Sequence, residues 1–201
     1  MAHGIEDGAG LAALLARADL VAIGPGLGQG EWGRSLFAGA LACDQPRVLD
    51  ADALNLLAQA PQQLTAHDVI TPHPGEAARL LGITTVEVQR DRFAAARALC
   101  ERYAAHVVLK GAGSIVAAPG RTPAVICAGN PGMAVGGMGD LLTGCIAALL
   151  AQGFSPRDAA IAGALLHAAA GDAAARDEGE RGLLPTDLLP WLRRLANPVR
   201  R

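Results

Sequence analysis

Lysine is almost absent from this chain: of its 17 basic residues, only Lys110 is not arginine. The formal net charge is −2 and there is no basic run, so neither nucleic acid nor an acidic membrane is expected as a partner. Long apolar runs are missing too. The longest, CIAALLA, falls far short of the roughly 18 residues of a spanning helix. The opening MAHGIEDGAG carries acids where a signal peptide needs a basic segment and then an apolar stretch. A soluble, cytoplasmic protein is expected. The four cysteines, Cys43, Cys100, Cys127 and Cys145, form no C-x-x-C pair and have no histidine at metal-ligand spacing. They read as small buried hydrophobes, and no metal site is expected from them. Aromatics are scarce at 3%, while the hydrophobic fraction of 51% is mostly alanine and leucine, a helix-rich globular composition.

With 201 residues the chain fits one domain spanning 1–201; no repeat, low-complexity linker or internal boundary interrupts it. Four short aliphatic runs read as strands: LVAI at 20–23, RVLD at 47–50, DVIT at 68–71 and VVLK at 107–110. Helical patterns separate them, beginning at Glu31, Asp52 and Pro74, followed by a longer helix with Phe93, Ala96, Cys100 and Tyr103 on one face. Strand alternating with helix predicts an α/β fold, a mainly parallel sheet covered on both faces. SIVAA and PAVIC read as an antiparallel pair. Three largely helical segments follow. The one after Asp140 is apolar almost all round and is expected to be central and buried. Another begins at a capping Ser155 with proline in its first turn, and the closing NPVRR reads as a frayed tail.

Parallel strands end on one edge, and in open α/β sheets that edge binds ligands. The strands run into GPGLG (24–28), ADALN (51–55), PHPGE (72–76) and GAGS (111–114), so four ordinary motifs become one candidate site. GPGLG is either a turn or a set of amides for an anion. Asp50 and Asp52 read as caps of the short helix. Asn55 bonds a ligand or a loop carbonyl. His73, held between two prolines, reads as a ligand contact, and Glu76 as a stabiliser of the next helix start. Lys110, at the end of a buried-looking strand, requires a phosphate or carboxylate partner.

The densest signal is GNPGMAVGGMGDLLTGCIAALLAQG, from Gly129 to Gly153. Its glycines serve either a tight turn capped by Asp140 or a close backbone approach to a ligand. Together with the converging loops, the second reading gives Gly136, Gly137 and Gly139 as amides of an anion hole at a helix start, with Asp140 as general base. That pairing suits phosphoryl transfer.

AIGPGLGQ, DADALNLL, TPHPGEAARLLG, VVLKGAGS and GNPGMAVGGMGDLLTG, in this order, resemble the nucleotide-dependent NAD(P)H-hydrate dehydratases of the ribokinase-like superfamily. The resemblance runs from about Leu20 to the final helix. It implies restoration of NADH or NADPH from ring-hydrated forms, with ADP or ATP as co-substrate, together with Mg2+. By the same resemblance Asp140 acts on the hydroxyl, Gly26, Gly28 and His73 contact the hydrate, and Lys110, Gly111, Ala112, Gly113, Ser114 and Gly139 hold the nucleotide. Asn55, Asn130, Gly136 and Gly137 are further candidates. Family members commonly carry threonine where Ser114 stands, which keeps the hydroxyl.

The family's domain starts well before the segment matching MAHGIEDGAG. An N-terminally truncated domain is therefore expected, lacking early strand and helix units and part of the hydrate pocket, and residues 1–201 alone are expected to be poorly soluble or to lack dehydratase activity. The resemblance also implies a homo-oligomer and, in some members, a preceding epimerase domain. A small-molecule kinase of the same superfamily and an adenylate-binding module without turnover are the competing functions.

Overall fold

The computed structural model describes residues 2–197; of the closing NPVRR only Asn197 is among them. The aliphatic runs form strands where expected: β1 (Val21–Ile23), β2 (Arg47–Leu49), β3 (Val69–Ile70) and β4 (His106–Leu109). These pair in parallel, with Leu49 opposite Ile70 and Ile70 opposite Val107. The expected antiparallel pair is β5 (Ser114–Ala117) and β6 (Ala124–Ile126), and β5 also runs antiparallel to β4. The sheet order follows the chain, β1 to β6.

Successive strand residues point to opposite faces, and the two cores divide accordingly. Leu49, Ile70, Val107, Leu109 and Ile115 enter one core, with Leu36, Leu57, Leu80 and Leu99 from the covering helices. Val48, Val69, Val108 and Val116 enter the other, with Leu142, Ile146 and Ala160. The first face carries α2 (Glu31–Leu41), α3 (Ala51–Gln59), α4 (Pro74–Leu81) and α6 (Arg92–Tyr103). The second carries α7 (Met138–Ala151) and α8 (Pro156–Glu178), while α9 (Leu189–Leu195) packs on α8. Among the described residues no helix is long and apolar enough to cross a membrane.

Some local expectations change. Two helices escaped the periodicity reading: α1 (Gly8–Leu15), which packs on α2, and α5 (Thr85–Arg90), a six-residue helix whose Thr84–Glu87 capping box closes it. Phe93 is exposed. The buried face of α6 is Ala95, Ala96, Leu99, Cys100 and Tyr103, because Phe93 stands in the first turn, outside the stripe that meets the sheet. α7 is buried on one face only, through Leu142, Thr143, Ile146 and Ala147, whereas Gly144, Ala148 and Ala151 are exposed. Of the cysteines only Cys100 is buried, and burial pushes its thiol up to about 12; Cys127 is exposed.

At the amino end of the strands, Arg47 and Asp68 form a buried ion pair of 2.7 Å. Asp68 accepts from Arg47 Nε and Nη2 as well as from the Thr65 backbone N–H. Arg47 Nη1 in turn donates to the Leu41 carbonyl, so the starts of β2 and β3 are pinned away from the carboxyl edge.

Candidate active site at the carboxyl edge

The loops after β2, β3, β4 and β6 surround a cavity of about 810 Å³. The turn after β1 is fixed by Gly24, at φ +129°: a Cβ there would overlap the Asp50 carbonyl, so only glycine lets β1 and β2 end side by side.

Asp50 follows β2. It occupies the N-cap position of α3 but makes no capping bond. Ala51 takes a left-handed φ of 48° as the chain leaves the strand, and the Asp50 side chain goes to other partners. Its Oδ1 accepts from Lys110 Nζ at 2.6 Å and its Oδ2 from Thr143 Oγ1 at 3.0 Å. The carboxylate partner required for Lys110 is thus supplied by the chain itself. Asp52 does not cap by its side chain either. It accepts from the Gly28 N–H at 2.9 Å and from Gln29 Nε2, which holds its carboxyl below the usual range.

His73 is the N-cap of α4. Its Nδ1 accepts from the Gly75 and Glu76 N–H groups at 3.0 and 3.4 Å, while Glu76 Oε2 accepts from the His73 N–H at 2.7 Å, a reciprocal capping box. Because Nδ1 accepts, a neutral His73 carries its proton on Nε2. Glu76 is buried and its Oε2 lies 3.7 Å from Lys110 Nζ. One ammonium therefore stands between two carboxylates beneath the cavity.

The Lys110–Ser114 turn is closed by Ser114 Oγ, which accepts from the Gly111 N–H and donates to the Gly111 carbonyl. Arg92, at the start of α6, clamps it from outside by donating to the Ala112 carbonyl at 2.6 Å and the Leu109 carbonyl at 3.2 Å.

The glycine-rich stretch leaves β6, makes a short 3-10 turn at Pro131–Met133, and enters α7 through Gly137 at φ +89°. First-turn N–H groups have no intrahelical acceptor. That of Met138 returns to the Val135 carbonyl, and the residues Gly139 and Asp140 line the cavity. A Cβ on Gly139 would lie 3.2 Å from Lys110 Nζ and 3.4 Å from Asp50 Oδ2, so the helix start rests directly on the ion pair. Asp140 is exposed, and its carboxylate has no hydrogen-bond partner among the described residues.

His73, Lys110 to Ser114, Asn130, Gly136, Gly137, Gly139 and Asp140 all line this cavity. Gly26, Gly28 and Asn55 belong to the same edge but do not line it. The Gly28 N–H is taken by Asp52, and Asn55 bridges Asp52 and Arg79. Missed from sequence were Arg92, Thr143, Asp172 and His167. His167, on α8, lines the cavity and is 7% exposed, and its Nε2 has no partner among the described residues. Burial pushes it down to about 4, against the pull of the Met138 carbonyl, so it is neutral at physiological pH. Its place on the buried face of α8 is that of any core histidine, so nothing in the sequence marked it.

The chain is similar to known proteins along nearly its whole length. The chain is 52% identical to the bifunctional NAD(P)H-hydrate repair enzyme Nnr of Coxiella burnetii, over 98% of this chain and 40% of that protein. It is 45% identical to the ADP-dependent (S)-NAD(P)H-hydrate dehydratase of Neisseria meningitidis, over 88% of this chain and 62% of that one. It spans, then, less than two thirds of either relative. The crystal structure of the ADP/ATP-dependent NAD(P)H-hydrate dehydratase of Bacillus subtilis, co-crystallised with ATP and Mg2+, superposes with a TM-score of 0.79 at 32% identity, covering 89% of this chain and 64% of its own. A family profile described as NAD(P)H-hydrate dehydratase matches residues 1–194, and the chain belongs to that family.

Proposed function

We propose that this chain removes water from ring-hydrated NADH or NADPH at the expense of ADP or ATP. The observation that carries the reading is Asp140, a carboxylate with no hydrogen-bond partner among the described residues, in the first turn of α7 with Gly139 beside it in the cavity lining. A base and an anion hole on one turn place proton removal beside charge stabilisation. Hydroxide is a poor leaving group. Asp140 takes the proton of the ring hydroxyl as its oxygen attacks the terminal phosphorus, and the nucleotide leaves one phosphate shorter. Phosphate then departs with the C–O electron pair while a neighbouring carbon gives up a proton to a phosphate oxygen, which restores the ring double bond and frees hydrogen phosphate.

The other cavity residues divide between the two ligands. The clamped Lys110–Ser114 turn and the amides of Gly136, Gly137 and Gly139 receive the nucleotide. His73 offers Nε2–H to the hydrate; Gly26 and Gly28, on the adjacent loop, stand outside the cavity lining. Lys110 contributes less charge to a phosphate than a free lysine, because Asp50 already neutralises it. Among the described residues no cluster of three or more acidic, histidine or cysteine side chains forms a metal cage. This fits Mg2+, which keeps its waters and arrives on phosphate oxygens with one or two carboxylates; Asp140 and Glu76 are the carboxylates facing the cavity that are not held by Lys110 at short range. Bound there, Mg2+ would screen the phosphate charges.

The test is to incubate the 201-residue chain with hydrated NADH, Mg2+ and ADP or ATP, reading NADH and free phosphate together. Equal amounts of both are expected. A phosphorylated product that persists would make the chain a small-molecule kinase, and adenylate binding without turnover would make it a binding module.

A further inference from the structure

The glycine-rich stretch is the least self-sufficient part of the cavity wall. Gly129 and Gly137 have positive φ of 107° and 89°, and Gly136 faces open space. Glycines lose the most freedom when a backbone is fixed, so this segment needs an external support to hold one shape. Asp172, on the far half of α8, supplies it. Its Oδ2 accepts from the Gly129 N–H at 2.9 Å and its Oδ1 from Asn130 Nδ2 at 3.0 Å, across more than forty residues of chain. Asn130 passes the support on, since its Oδ1 accepts from the Gly132 N–H at 3.1 Å and caps the 3-10 turn. The packing beside these bonds is equally close. A Cβ on Gly171 would run into the Met133 side chain, and one on Gly129 would lie 3.7 Å from the Ala168 Cβ.

We propose that Asp172 is a positioning residue for this site: through Asn130 it sets the path of the segment that carries the anion-binding amides and Asp140, and Asn130 serves as its strut and not as a ligand contact. The inference rests on the nucleotide reading given above. Both Asp172 oxygens and both ends of the Asn130 amide are used, so the pair has one satisfied arrangement. With Asp172→Asn, one Nδ2 must face either the Gly129 N–H or Asn130 Nδ2, donor against donor. With Asn130→Asp, two carboxylates face each other. With both changes the polarity is exchanged: the amide of residue 172 accepts from Gly129 and donates to the carboxylate of residue 130, which still accepts from Gly132. All three bonds return.

The two single variants and the double variant would be compared by kcat and KM on hydrated NADH, by ADP affinity, and by amide hydrogen exchange at Gly129 and Gly132. Each single variant is expected to lose about 10–100-fold in kcat/KM, as misplacement of about 1 Å at a catalytic group does. Exchange at Gly129 and Gly132 should rise in both, and the double variant should recover to within about twofold of the parent chain, an error typical of additivity measurements. A double variant no better than the product of the singles overturns the proposal, as does unchanged exchange in Asp172→Asn. If Asp172→Asn fails to fold, Asn130→Asp carries the same test from the loop side. If the parent chain neither binds ADP nor turns over the hydrate, the nucleotide reading fails, and the exchange data alone decide whether the strut holds the segment.

Discussion

Lys110 Nζ lies 2.6 Å from Asp50 Oδ1, joining the end of β4 to the end of β2 across sixty residues of chain. Asp50 is 1% exposed, and Thr143 of α7 holds its second oxygen. The chain's lysine is therefore a tie between the sheet and the helix that carries Asp140, before it is anything to a ligand.

Lys110→Met would leave that carboxylate buried and unpaired, a loss of roughly 3–5 kcal/mol. In a domain of this size it corresponds to a fall in melting temperature of about 6–20 °C. Adding Asp50→Asn should recover part of it, because no buried charge then lacks a partner. A melting temperature unmoved by Lys110→Met would show that the pair contributes nothing net.

Asp140→Asn keeps the shape of the helix start but cannot take a proton. Adenylate affinity is expected to stay within a few-fold, and kcat to fall by about 10²–10⁴. Turnover close to that of the parent chain would reduce Asp140 to a first-turn acid that favours the helix dipole.

His73 has two jobs that substitution can separate. His73→Ala removes both the cap and Nε2–H, so it should cost about 1 kcal/mol of stability along with hydrate affinity. His73→Asn restores a good cap while withdrawing the ring. Its melting temperature should match the parent chain and its hydrate affinity should match the alanine variant. Recovery of both properties by asparagine would mean that the ring never touches the hydrate.

His167 gives the fold an acid sensitivity. Its folded value of about 4 lies below the ordinary 6.5 of the unfolded chain. The unfolded state binds the proton first, so this contribution is complete above about pH 6.5 and is lost as pH falls toward 4. The full loss is of the order of 3 kcal/mol. His167→Gln should flatten the slope of melting temperature against pH in that window; an identical slope in the variant would assign the effect to other groups.

At the opposite edge, Asp68→Asn breaks the Arg47 pair, in which both side chains are nearly sealed from solvent. Roughly 3–5 kcal/mol of stability should disappear with ligand affinities unchanged at temperatures where the chain stays folded. A selective loss of nucleotide affinity would mean that the two edges of the sheet are coupled.

The strands were legible because aliphatic runs such as VVLK have little else to become once glycine and proline punctuate their ends, and the converging loops followed from parallel pairing alone. Helix α1 was not read, although Asp7 caps it by accepting from the Gly10 N–H: an alanine- and leucine-rich segment shows no clear stripe, so its cap was the better signal. Phe93 misled because periodicity gives the spacing of a face but not its direction. Asp50 read as a cap because capping is a local rule, whereas its actual partners, Lys110 and Thr143, lie 60 and 93 residues away. His167 and Asp172 were invisible for the same reason: each matters through where α8 passes, and no residue near them in the chain records that path.

A chain with one lysine has one side-chain amine to acylate, and here that amine is 18% exposed in the wall of the cavity. Within these 201 residues, amine-reactive reagents have Lys110 as their one side-chain amine. The rate at which Lys110 modification appears by mass spectrometry is thus a built-in gauge of access to the cavity, and any ligand that fills it should slow that rate without a label being introduced by mutation.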